Sequence, residues 1–169
     1  MIDILYNSLM RYYIDENHLD DFVKITRGGN ISLRIIDWFV TNYSKKKDIV
    51  YKLYKDKDGN ISLIESPTFY KMFNVYESYK GQLKSFSKRR FDPFCRRDRI
   101  TIPYQSKNIE TTIGQLNFFK WAKKHCIIDY IIKYKEYIEN DMNNVYKVLN
   151  GDKNHKRRQE LSKSAIREN

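Results

Sequence analysis

The chain has 169 residues, 41% of them hydrophobic and 15% aromatic, and a net charge of +11. That length is a prior for one domain, and the apolar content is enough to build a core, which argues against wholesale disorder. No apolar run approaches the roughly 20 residues of a membrane span, and the acidic first segment lacks the basic start and apolar stretch of a signal peptide.

The positive charge is unevenly placed. Residues 67–107 hold 10 basic and 3 acidic side chains, a net +7, and residues 152–169 hold a net +3, whereas residues 1–31 are at −2. A surface charged only for solubility does not need that concentration. The 20 Ile, 21 Lys, 14 Asn and 14 Tyr against two Ala point to an AT-rich coding genome. Cys95 and Cys126 lie far apart without paired histidine spacing, which fits a reduced, intracellular protein with no zinc site.

Residues 4–25 carry apolar positions at helical spacing. Leu5, Leu9 and Tyr12 or Tyr13 share one face, and Leu19, Phe22, Val23 and Ile25 form a second amphipathic run. Gly28-Gly29 reads as the helix stop. Arg27-Gly28-Gly29 as a phosphate cradle is set aside, because it lacks a preceding strand and a downstream Lys-Ser/Thr. Ser32 is placed to cap a helix whose stripe is Leu33, Ile36, Phe39 or Val40, and Tyr43, with Trp38 off the stripe against a neighbour. Lys45, Lys46 and Lys47 close that helix near its negative end.

The period then changes. Ile49, Tyr51 and Leu53 alternate with charge, and Ile61 and Leu63 alternate again beyond Asp58-Gly59, so residues 49–65 predict a hairpin. Calcium binding by Asp56, Asp58 and Asn60 is rejected, since Gly59 precedes the third oxygen ligand and Glu65 comes two positions early. After the break at Ser66-Pro67 the spacing predicts helix from Phe73 to Phe86. Tyr76, Tyr79, Leu83 and Phe86 face the core, and Lys80, Lys84 and Lys88 lie four apart on another face, leading into Arg89-Arg90.

Pro93 stops the helix, so Phe91-Asp92-Pro93-Phe94 is a turn anchored by two phenylalanines. It leads into Cys95, Arg96, Arg97 and Arg99. Neighbouring cations favour a thiolate, yet without a histidine partner in view a small half-buried residue is the stronger reading of Cys95. Residues 99–105 and 109–113 alternate on either side of a turn at Ser106-Lys107-Asn108, and Pro103 makes this second hairpin an exposed edge. Thr111 or Thr112 caps the helix of Leu116, Phe119 and Trp121. Ile127, Ile131, Tyr134, Ile138, Met142, Val145 and Leu149 then form a near-heptad stripe, either a coiled-coil seam or, more commonly, one helix across a globular core. Gly151 ends it. The expected fold class is α+β: a helix-rich single domain over residues 1–151 with four or more helices and two short β-hairpins, followed by a flexible basic C-terminal tail over residues 152–169.

Four blocks carry a resemblance. They are Ile31-Ser-Leu-Arg-Ile-Ile-Asp-Trp-Phe-Val-Thr-Asn-Tyr43, Phe91-Asp-Pro-Phe-Cys-Arg-Arg-Asp-Arg99, Thr111-Thr-Ile-Gly-Gln-Leu-Asn-Phe-Phe-Lys-Trp-Ala122 and Arg157-Arg-Gln-Glu-Leu-Ser-Lys-Ser-Ala165. Over residues 20–166 the chain resembles a family of small basic proteins of giant nucleocytoplasmic large DNA viruses, mimivirus-like ones especially. Typical members lack the segment around Ile61–Tyr70 and run on past the Ser-Ala block. The resemblance implies a viral source, in accord with the composition, and transfers no catalytic residue.

The leading expectation is a non-catalytic, mainly sequence-independent nucleic-acid-binding protein of the virion or the viral factory in the host cell, with DNA preferred to RNA as partner. Lys80, Lys84, Lys88, Arg89, Arg90, Arg96, Arg97, Arg99, Lys156, Arg157 and Arg158 are the candidate phosphate contacts. The alternative is a structural protein that forms homo-oligomers through residues 127–149 and binds acidic partners. No metal, cofactor or membrane association is expected. An enzyme comes third, because His18, His125 and His155 are isolated and no paired-carboxylate site can be placed.

Overall fold

The computed structural model describes residues 3–29 and 31–150. Asp3 caps α1 (Ile4–Met10) by accepting the Tyr6 N–H at 3.1 Å, and the helix widens into a π-helical turn (Arg11–Asp15). α2 (Leu19–Gly28) stops at Gly29, where a Cβ would lie 2.7 Å from the Lys24 carbonyl oxygen. α3 (Leu33–Trp38) is capped by Ser32 as expected, at 3.2 Å from the Ile35 N–H. It passes through a second π-helical turn (Phe39–Tyr43) into α4 (Ser44–Lys46).

β1 (Val50–Lys55) does pair with a short β2 (Ile61–Ser62) around the Asp58-Gly59 turn, where the Asp56 carboxylate accepts the Asp58 and Asn60 N–H groups, each at 2.9 Å. Its longer partner is β3 (Thr68–Asn74), giving an antiparallel sheet of order β2-β1-β3. The sequence reading has no strand there and starts the next helix at Phe73. β3 escapes the alternation test because it is an edge strand with Thr68 to Lys71 and Met72 all exposed, and its register with β1 shifts between Leu53 and Tyr54.

α5 (Val75–Phe91) follows, then the hairpin of β4 (Arg99–Tyr104) and β5 (Lys107–Thr112), then α6 (Ile113–Lys124). The hairpin turns at Gln105-Ser106, one step earlier than expected, with Tyr104 opposite Lys107. Pro103 is tolerated because this sheet has only two strands, so each has an unpaired edge. Thr112 is the residue that caps α6, 3.0 Å from the Gln115 N–H.

The stripe from Ile127 to Leu149 is not one helix. α7 (Ile127–Lys133) ends at Tyr134, whose backbone leaves the helical region (φ −114°, ψ 24°), and a further helix, α8, occupies residues 135–150. Ile127, Ile131 and Ile138 are buried, Met142 and Val145 half-buried, and Leu149 exposed. The first half of the stripe is core, and the second half runs out over the surface. Gly151 and the tail over 152–169 lie outside the described residues.

The structure is thus α+β and helix-rich, with two small antiparallel sheets. Its core is continuous. Tyr13, Phe22 and Phe119 meet edge to face, and the buried Tyr13 hydroxyl donates to the Leu116 carbonyl at 2.6 Å, joining the N-terminal helices to α6. The three-stranded sheet docks on α7 by Tyr51, which stacks on Tyr130 at 5.0 Å and donates to the His125 carbonyl at 2.7 Å. Among the described residues no helix is long and apolar enough to cross a membrane.

His125 supplies a pH dependence. Its ring stacks on Phe73 at 4.8 Å, and burial, with Lys71 and Lys124 nearby, holds its pKa below the usual 6.5 against an opposing hydrogen bond to the Trp121 carbonyl. The unfolded chain therefore takes up this proton first as pH falls. The stability it contributes is complete above the unfolded pKa and is lost as pH falls toward the depressed folded pKa. Urea titrations at pH 7.5 and 5.5 should show a smaller pH effect in His125→Asn than in the parent chain. Equal effects in both would mean that His125 titrates alike in the folded and unfolded states.

Candidate nucleic-acid interface

The arginine-rich segment is held in place by the start of α6. Gly114 lets that helix approach so closely that a Cβ would sit 2.7 Å from the Asp92 carbonyl oxygen. Gln115 donates to the Pro93 carbonyl at 3.2 Å and Asn117 to the Arg90 carbonyl at 3.0 Å. Below them the Phe91 ring is fully buried, with its centroid 5.3 Å from Trp121 and 5.5 Å from Phe118. Pro93 is buried too, and Asp92, in the extended conformation that a following proline requires, accepts the Phe94 N–H at 2.8 Å. Only one of the two phenylalanines is an anchor, however, since Phe94 is 48% exposed.

The candidate cations among the described residues fall into three groups. Lys80, Lys84 and Lys88 are exposed, with Lys80 3.5 Å from Glu77, but the helix breaks at Ser87 (φ 64°, ψ 167°). Helical spacing therefore does not carry from Lys84 to Lys88, and the expected continuous ridge is interrupted. Arg89 and Arg90 are engaged elsewhere: Arg89 grips Asp98 through two hydrogen bonds of 2.9 and 3.0 Å, and Arg90 reaches Asp3 at 2.5 Å. Exposed pairs of this kind add little to stability, but they spend much of the cation's reach on its own protein. Arg96, Arg97 and Arg99 are exposed and pair with no described carboxylate. Lys156, Arg157 and Arg158 lie outside the described residues.

Arg96 and Arg99 line a cleft of about 270 Å³ together with Arg27, Cys95 and Gln115. Arg27 is not among the candidates that the charge pattern picks out, and it comes from the Arg-Gly-Gly stretch. The tie between α2 and the hairpin brings it here: the Tyr104 hydroxyl donates to the Asp20 carboxylate, and Arg27 donates to the Glu110 carbonyl at 2.6 Å. Arg99 donates to the Arg96 carbonyl at 3.2 Å. Each guanidinium has five N–H donors, so these contacts orient Arg27 and Arg99 and leave donors for an anion. Glu110, also in the wall, offsets one of the three charges.

A second cleft of about 400 Å³ lies on the other side of Phe94 and Arg96, which line both. Its remaining walls include Trp38, Asn42, Arg34 and Tyr146. The Arg34 guanidinium sits 4.6 Å above the Tyr146 ring, and Trp38 packs 5.8 Å from the same ring. Trp38 does pack against a neighbouring helix, as expected, and that helix is α8. Among the described residues no group of three His, Cys, Asp or Glu side chains is placed to hold a metal.

Residues 1–169 match a family of unknown function, DUF7197. The chain is similar to "Uncharacterized protein L507" of Acanthamoeba polyphaga mimivirus, at 37% identity over 170 residues and 96% of this chain. It spans about three fifths (61%) of that relative's length. No solved structure matches.

Proposed function

From the premise that this chain belongs to the DUF7197 family and is related to a giant-virus protein, we propose that it is a non-catalytic, mainly sequence-independent nucleic-acid-binding protein of a large DNA virus. It acts in the virion or the viral factory, and DNA is its preferred partner. The observation that carries this reading is Arg96, Arg97 and Arg99 standing exposed and unpaired by any described carboxylate, with Arg96 and Arg99 sharing a cleft with Arg27, in a chain of net charge +11. Such a surface neutralises phosphates and releases counterions without reading base edges. Mixed-sequence DNA should be retarded by the full chain at 50 mM salt, with affinity falling about linearly in log–log form as salt rises. Affinity unchanged between 50 and 200 mM salt, or an absence of binding, would remove the proposal.

The alternative, a structural protein that oligomerises through residues 127–149 and binds acidic partners, draws support from the exposure of Ile132 (58%), Tyr137 (70%) and Val148 (59%). Light scattering distinguishes the two readings: a stable oligomer dispersed by charged substitutions at these three positions favours assembly.

A further inference from the structure

We propose that the two clefts sharing Phe94 and Arg96 bind a single unstacked nucleotide unit, its phosphate among Arg27, Arg96 and Arg99 and its base between Phe94 and Trp38. This deepens the nucleic-acid reading and rests on it.

Three observations converge. First, the arginines around the smaller cleft come from three separate parts of the chain: the end of α2, the segment after Pro93, and β4. The two outer ones are held by hydrogen bonds to backbone carbonyls, from Arg27 to Glu110 and from Arg99 to Arg96, so their direction is fixed before any ligand arrives. Pre-fixed forks suit the oxygens of a phosphate.

Second, the neighbouring cleft differs in chemistry. It is lined by Trp38 and Phe94, by Tyr146 with Arg34 stacked 4.6 Å above its ring, and by the polar residues Asn42 and Asp37. Flat π-faces bordered by a few hydrogen-bonding groups fit a base rather than a second phosphate. Phe94 is 48% exposed where its neighbours Phe91 and Pro93 are buried, so the core does not account for its aromatic ring. Third, Trp38 and Asn42 stand at the π-helical turn (Phe39–Tyr43) that interrupts the helix after α3. Such turns commonly coincide with binding sites, where they re-aim side chains.

A base stacked in a duplex cannot enter a cleft of this kind, so the ligand is a single strand, a strand end or a free nucleotide. The shared chemistry is a nucleoside phosphate, and the test separates its sources.

The full chain is titrated with a deoxyadenosine octamer, deoxyadenosine monophosphate, inorganic phosphate and a blunt duplex. Trp38 fluorescence and the rate of Cys95 alkylation by iodoacetamide are followed. Trp121 is 4% exposed and Cys126 is 2% exposed with its thiol pKa raised by burial to about 11, so the buried Trp121 gives a constant background and ligand-dependent changes in both signals arise at Trp38 and Cys95. The octamer should quench Trp38 and slow alkylation. Phe94→Ala and Arg96→Gln, both at exposed positions, should each weaken octamer binding by about fivefold or more. Binding much tighter for the octamer than for the monophosphate identifies a strand as the ligand. Equal affinities identify a free nucleotide, and both outcomes support the cleft. Inorganic phosphate protecting Cys95 as well as the monophosphate does, with no quenching of Trp38, overturns the base half. If Phe94→Ala leaves octamer affinity unchanged while salt-sensitive duplex binding persists, the cleft proposal fails and the broader function stands. If nothing binds, both fail.

Discussion

Phe91→Ala should cost about 3–5 kcal/mol of folding stability, the range for emptying a well-packed aromatic site. The ring is fully buried and is surrounded by Tyr79, Phe86, Phe118 and Trp121, with centroids 5.3 to 6.3 Å away. Trp121 is further fixed by donating to the Ser78 hydroxyl at 3.0 Å, so the cavity has little freedom to collapse. Phe91 is also the last residue of α5, directly before the turn that presents Cys95 to Arg99. Its loss should therefore loosen that segment as well as the core. Phe94→Ala, three positions on and 48% exposed, should change stability by no more than about 0.5 kcal/mol. Urea denaturation of the two variants makes the comparison. A cost below about 1 kcal/mol for Phe91→Ala would show that the arginine segment is held by the hydrogen bonds of Gln115 and Asn117 alone.

How far the fold could be read from sequence depended on whether each signal is local. Ser32, Thr112 and Gly29 act within a few residues of themselves, and the helix boundaries they set were legible. β3 was not, because an exposed edge strand with a register shift has no clean alternation, and Ser66-Pro67 suggested a break into helix. The spacing from Ile127 to Leu149 fits a single helix equally well with or without an interruption. Nothing in the apolar pattern marks the break at Tyr134.

The candidate site was legible as a charge excess and not as a geometry. Arg89 and Arg90 look in sequence no different from Arg96 and Arg97. What separates them is Asp98, nine residues on, and Asp3, 87 residues back, and the second of these is brought near only by the fold. Arg27 is the converse case. In sequence Arg27-Gly28-Gly29 lacks the preceding strand and the downstream Lys-Ser/Thr of a phosphate loop, and in the structure its glycines end α2. The Arg27 side chain reaches the cleft only because α2 is tied to a hairpin more than 70 residues later. In sequence Trp38 and Phe94 look like packing residues, and their place at the clefts follows from the meeting of α3, α8 and the turn at Pro93.

Replacing Arg96, Arg97 and Arg99 together by glutamine should lower the slope of log affinity against log salt by about 2 to 3 units, at about 0.9 per phosphate contact on duplex or about 0.7 on a single strand. The comparison that gives this weight is the equivalent change at Lys88, Arg89 and Arg90. Sequence alone makes that triplet an equal contributor. In the structure two of its three cations are paired with Asp98 and Asp3, so its substitution should remove about one contact's worth of slope. A third triplet, Lys45, Lys46 and Lys47, ends a helix, and Lys46 lies 2.6 Å from Asp141, so its substitution should lower the slope less than that of the arginines. Circular dichroism on each variant guards against misfolding, which matters most for Arg89 because its bidentate pair ties the end of α5 to the segment before β4. The ordering of the three slopes is the result to look for. Should the three triplets lower the slope alike, binding would be a diffuse property of net charge, and the segment around Arg96 would lose its claim to be the interface. Should the arginine triplet leave the slope untouched while the Lys88 triplet lowers it, the pairs with Asp98 and Asp3 must open to receive phosphate, and the interface would move to α5.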